Sequence, residues 1–138
     1  MNLTALALIG YIVWIILLIL AIGGLRIQAK VKGKAPKYFR PDGGDVSPLA
    51  ERLARAHANC YESFPFVGGV LLVALASQQT AITDPLAMIM LVARLAQSLV
   101  HISSTSQGAV YLRFALFMVQ LLPALYACFA LAQAFMAG

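Results

Sequence analysis

Four polar residues, Arg52, Arg55, Asn59 and Glu62, stand three, four and three positions apart in the stretch Glu51–Phe66, which runs directly into the apolar segment 67–76. On a helix turning about 100° per residue they fall within a sector of roughly 80°. Two guanidiniums, an amide and a carboxylate then share one face, and Leu53, Ala54, Ala58 and Tyr61 are left to the others. Ionisable groups at membrane depth are costly and therefore point to function. Further along, Arg94, Gln97 and His101 share a face at i, i+3 and i+7, Arg113 and Gln120 share another, and Arg26 closes the first apolar run. In this set cations outnumber the one internal carboxylate. A cavity built from it would be net positive and would suit an anionic ligand whose carboxylates guanidiniums grip in bidentate fashion. Glu62 could accept from a ligand ammonium or neutralise Arg94.

The chain has no Ser-His-Asp order, no phosphate-binding glycine loop, no dinucleotide fingerprint and no metal-ligand cluster. If it is an enzyme, its nucleophile comes with its ligand: a cationic pocket can hold a bound thiol as thiolate, the nucleophilic form. Each residue also has a plainer role open to it. Arg94 and Glu62 could be a buried ion pair fixing helix register. His101 could be a satisfied interfacial histidine, and Arg52 a side chain snorkelling to headgroup level. Phe64, Phe66, Phe114 and Phe117 read as packing or lipid-facing residues. Cys60 and Cys128 read as two buried, reduced thiols behaving as small hydrophobes.

These residues need membrane helices to position them. Of 138 residues, 62% are hydrophobic and 11% charged, against about a quarter charged in a soluble domain. The fold class is all-α: an integral membrane, antiparallel four-helix bundle forming one domain over residues 1–138. The helices are predicted at about 3–25, 48–77, 84–102 and 109–135. The first has no charge before Arg26 and reads as a retained span, about 20 residues being enough to cross a bilayer. Pro41-Asp42-Gly43-Gly44-Asp45 is strong turn chemistry, followed by Ser47 as a helix cap with Pro48 in the first turn. Pro65 should kink the second helix, and Gly68-Gly69 should admit a close neighbour. Gln78–Thr83 is a polar turn, with Asp84 at the start of the third helix.

The net charge of +5 is concentrated beside the membrane, six of the ten basic residues lying between Arg26 and Arg40. That pattern sets orientation and argues against nucleic acid as a partner. The positive-inside rule puts the basic loop 26–48 in the cytoplasm, and Arg52, Arg55, His101 and Arg113 all fall in the same membrane half.

The stretch Arg55-Ala56-His57-Ala58-Asn59-Cys60-Tyr61-Glu62-Ser63-Phe64-Pro65 resembles the signature of the MAPEG family, the membrane-associated proteins in eicosanoid and glutathione metabolism. Leu25-Arg26-Ile27 is similar to the basic end of that family's first helix. Arg94 with Gln97 and His101 resembles its third-helix pattern, and Arg113 followed by Gln120-Leu121 and Pro123 its fourth. The resemblance implies a bacterial-type, inner-membrane homotrimer binding glutathione between subunits, near the cytoplasmic side. It also implies conjugation, peroxide reduction or isomerisation of a lipophilic small molecule. Carried over by position, Arg26, Arg55, Asn59 and Glu62 would hold glutathione, with Gln97 and His101 where members often have His or Tyr. Arg113 would be catalytic, stabilising the thiolate. Ala58, Ser63 and Phe117 depart from the pattern, standing where some members have a basic residue, a Tyr and a Tyr. Two other classes remain: a non-catalytic membrane subunit using the polar stripe as helix-packing glue, and a small transporter with Glu62 as its proton-coupling carboxylate.

Overall fold

A computed structural model describes residues 1–137 as four helices: α1 (Leu3–Val31), α2 (Pro48–Ala76), α3 (Thr80–Ser103) and α4 (Gln107–Ala137). All four are long and apolar enough to cross a membrane. The chain is an integral, multi-pass membrane protein.

Local chemistry sets the ends. Ser47 caps α2, its hydroxyl accepting from Ala50 N at 3.0 Å with Pro48 in the first turn. α1 runs past its predicted end because hydropathy marks where hydrocarbon stops, not where helical hydrogen bonding stops. It ends at Gly33, whose φ of +67° few other residues adopt readily. Gly33 N donates to Lys30 O and Lys34 N to Ala29 O, closing a Schellman turn. The same motif ends α2, with Gln78 at φ +58°, Gln78 N donating to Leu75 O and Gln79 N to Ala74 O. The turn is therefore only Ser77–Gln79, and Thr80–Thr83, predicted as turn, is already helix.

Asp84 consequently lies inside α3, and it serves α1 instead. Its carboxylate accepts from Thr4 N at 2.8 Å and Thr4 Oγ1 at 2.6 Å, satisfying a free N–H at the positive end of α1. In the connecting loop, Asp42 accepts from Gly44 N at 3.1 Å and pairs with Arg40. The Gly44 N–H first, and Arg40 beside it, hold this carboxyl below its usual range.

α2 and α3 pack together in the middle. α1 packs on both from one side, and α4 lies along α3 and touches α2 from the other; α1 and α4 do not meet. Small residues at the seams, Ala56, Cys60, Ala74 and Ala87, let the backbones approach closely. Gly10 belongs to this set, since a Cβ there would stand 2.8 Å from Leu91 Cδ2. Gly68 has its own helix for a neighbour as well. It makes room for the Phe64 ring one turn earlier in α2. Pro65 and Pro123 lie inside α2 and α4, which continue through them.

Candidate functional site

Where α2 begins, α3 ends and α4 begins, the three helices line a shallow cavity of about 610 Å³, widely open on one side. Arg55, Asn59 and Glu62 face it from α2, Gln97 and His101 from α3, and Arg113 from α4. Ala58, Val110, Phe114 and Phe117 complete the wall. Six of the seven predicted site residues thus line one space. Arg26 does not. It sits at the end of α1, donating from Nη2 to Arg40 O at 3.0 Å, its guanidinium 5.4 Å from the Phe39 ring centroid. Because α1 never reaches α4, Arg26 serves the loop within its own chain.

Arg113 is held by α3 at two points. Its Nη1 donates to His101 Nδ1 at 2.9 Å, and its carbonyl accepts from Gln97 Nε2, also at 2.9 Å. A guanidinium can only donate, so His101 must accept through Nδ1 and carry its proton on Nε2. Gln97 and His101 therefore line the cavity and orient Arg113 as well. Arg55 is exposed to the cavity and pairs with Glu51 one turn back, an exposed contact of the weak kind that a ligand carboxylate can displace. Among the described residues Glu62 has no cationic partner, and it is exposed to the cavity.

The suggested Arg94–Glu62 ion pair is not formed; among the described residues the ion pairs are Arg40–Asp42 and Arg55–Glu51. Arg94 is fully buried, and among the described residues its three guanidinium nitrogens find no hydrogen-bond partner. It packs toward α1, 5.8 Å from the Tyr11 ring centroid, while Glu62 faces the cavity. Arg52 Nε donates to Ile102 O at 2.7 Å, satisfying a carbonyl at the negative end of α3.

The three departures separate by direction. Ala58 and Phe117 stand on the cavity wall and bring no polar group to it. Ser63 is buried toward α1, its Oγ 2.6 Å from the Tyr11 hydroxyl, which also donates to Cys60 O at 3.2 Å. Tyr11 is a buried anchor that sequence reasoning missed, because in a uniformly apolar helix nothing marks one hydroxyl as inward. Cys60 is buried as expected, 3.2 Å from Ser98 Oγ, but Cys128 is exposed on α4. Phe114 is exposed at the cavity mouth, and Phe117 packs edge-on against Phe66 at 6.0 Å.

The sequence model of the MAPEG family matches residues 4–133, nearly the whole chain. The chain belongs to the MAPEG family. Searches among curated proteins and solved structures return no match.

Proposed function

We propose that this MAPEG protein binds glutathione in the cavity between α2, α3 and α4, and acts as a glutathione S-transferase or peroxidase on lipophilic electrophiles. The observation that carries the reading is the convergence of Arg55, Asn59, Glu62, Gln97, His101 and Arg113 on one cavity. Glutathione offers two carboxylates, an ammonium and a thiol, and the cavity offers a cation for one carboxylate, a carboxylate for the ammonium and a second cation for the sulfur. Arg55 can release Glu51 and grip a carboxylate. Glu62, with no cation of its own, can take the ammonium. Arg113, already oriented by α3, can face the sulfur. When bound, glutathione would supply a thiolate that attacks an apolar electrophile and displaces its leaving group, or attacks the outer oxygen of a hydroperoxide and releases the alcohol, a second glutathione then giving the disulfide and water. Holding the thiol one to two pH units lower requires only about 1.4–2.7 kcal/mol of preference for the charged form. One half-buried guanidinium can provide this. Phe114, Phe117 and Val110 give the second substrate an apolar approach from the lipid.

The reading includes a homotrimer, with the basic loop 26–48 in the cytoplasm of a bacterial cell. Arg55, Asn59 and Glu62 open sideways, and polar groups cannot face lipid at low cost, so a neighbouring copy covers them. Arg26 contributes to a cavity only if a neighbour supplies it. Calorimetric titration of the purified protein with glutathione tests the proposal, with Arg55→Ala as the weakened control; no heat in the wild type refutes it.

A second reading, a non-catalytic subunit, is favoured by the apolar wall positions Ala58 and Phe117. Purification as an equimolar complex with another protein, without glutathione affinity, would establish it.

A further inference from the structure

Gln120 is fully buried, is not among the residues lining the cavity and stands two turns beyond Arg113 in α4. A primary amide inside a membrane helix is costly unless its polar atoms are used. Both of its hydrogens are used here, while among the described residues its Oε1 has no partner. Gln120 Nε2 donates to Leu116 O in its own helix at 2.7 Å, and to Gln97 Oε1 on α3 at 3.0 Å. Gln97 Nε2 in turn donates to Arg113 O at 2.9 Å. The direction of this relay is forced, because a carbonyl oxygen stands at each end and can only accept. Turning the Gln120 amide would set oxygen against the Leu116 carbonyl. Turning the Gln97 amide would set oxygen against the Arg113 carbonyl. His101, one turn after Gln97 on α3, then takes the Arg113 guanidinium.

We infer that Gln120 is a positioning residue for Arg113: acting through Gln97, it locks the register of α4 on α3 at Arg113 and so sets where the guanidinium stands against a bound anionic thiol. The inference rests on the cavity reading above. Without the Gln120 donor, Gln97 Oε1 has no partner, its amide is free to rotate, and the tie to the Arg113 carbonyl weakens. A packing residue would show none of this directionality, and leucine, of similar volume and suited to lipid-depth helices, would replace it without consequence for the cavity.

The test uses Gln120→Leu, Gln97→Leu and the double variant in the intact protein, with Gln120→Met in place of Gln120→Leu if the latter does not fold. The ultraviolet absorbance of bound glutathione thiolate is followed against pH, and affinity is measured by calorimetry. Gln120→Leu is expected to raise the midpoint of the thiolate signal by about one pH unit, a tenfold loss of thiolate at neutral pH, with glutathione affinity little changed. In the Gln97→Leu background the second substitution should add nothing, because the path is already broken. An unchanged midpoint, or shifts that add in the double variant, overturns the inference. If the wild type gives no thiolate signal, it is the glutathione reading that fails. The positioning role is then read without glutathione, by the rate at which phenylglyoxal modifies Arg113, followed by peptide mass. A severalfold faster rate in Gln120→Leu supports the role, and an unchanged rate overturns it.

Discussion

Replacing Arg113 with alanine removes the cation assigned to the thiolate and leaves Arg55, Asn59 and Glu62 in place. A unit charge about 4 Å away, at an effective dielectric near 20, is worth about 4 kcal/mol. Arg113 is only half-buried and its cavity is open on one side, so screening brings the usable part down to about 1.4–2.7 kcal/mol, or one to two pH units. The thiolate fraction of bound glutathione near neutral pH should therefore fall about ten- to a hundredfold in Arg113→Ala. The assay is the ultraviolet thiolate difference on adding glutathione, taken across pH, with calorimetric affinity measured alongside. Arg113→Lys should be intermediate, since an ammonium keeps the charge but not the planar fork that donates to His101 at 2.9 Å. An undiminished thiolate signal in Arg113→Ala would remove Arg113 from this role. Loss of binding together with the signal would make it a binding residue instead.

Glu62→Gln should weaken glutathione about tenfold while leaving affinity for an analogue lacking the amino group unchanged, because the loss is that of one charge-assisted contact; equal losses for both would detach Glu62 from the ammonium. Arg94→Met should leave thermal stability in detergent unchanged or raise it, since the buried guanidinium has no hydrogen-bond partner and apolar replacements of buried charges are often neutral or stabilising by about 1–4 kcal/mol. A marked fall in melting temperature would contradict that. Gly43→Ala should loosen the loop on α2: φ there is +71°, and the new Cβ would stand 2.8 Å from Ala50 O. The backbone conformation alone costs about 1–2 kcal/mol, and trypsin should cut the neighbouring loop lysines faster; an unchanged cleavage rate would refute it.

Much of this architecture could be read from residue order, because the physics involved is local. Four spans follow from apolar runs, the α2 start from Ser47 and Pro48, and the shared face of Arg55, Asn59 and Glu62 from helical periodicity. Periodicity puts Gln97 and His101 on one α3 face in the same way. What residue order could not decide is which helices touch. Arg26, placed at the site by resemblance, lies on a helix that does not reach α4. Arg94 and Glu62, which their charges suggest as a buried pair, face different seams. His101 became a partner of Arg113, and Gln120 a partner of Gln97, only when α3 and α4 came together in one register. Asp84 turned from its own helix to α1 for a similar reason, the turn before it being shorter than its polar residues suggest. Periodicity places a side chain on a face. The partner opposite that face depends on how whole helices pack, a sum of many weak contacts spread along the chain, and no short stretch of residues contains it.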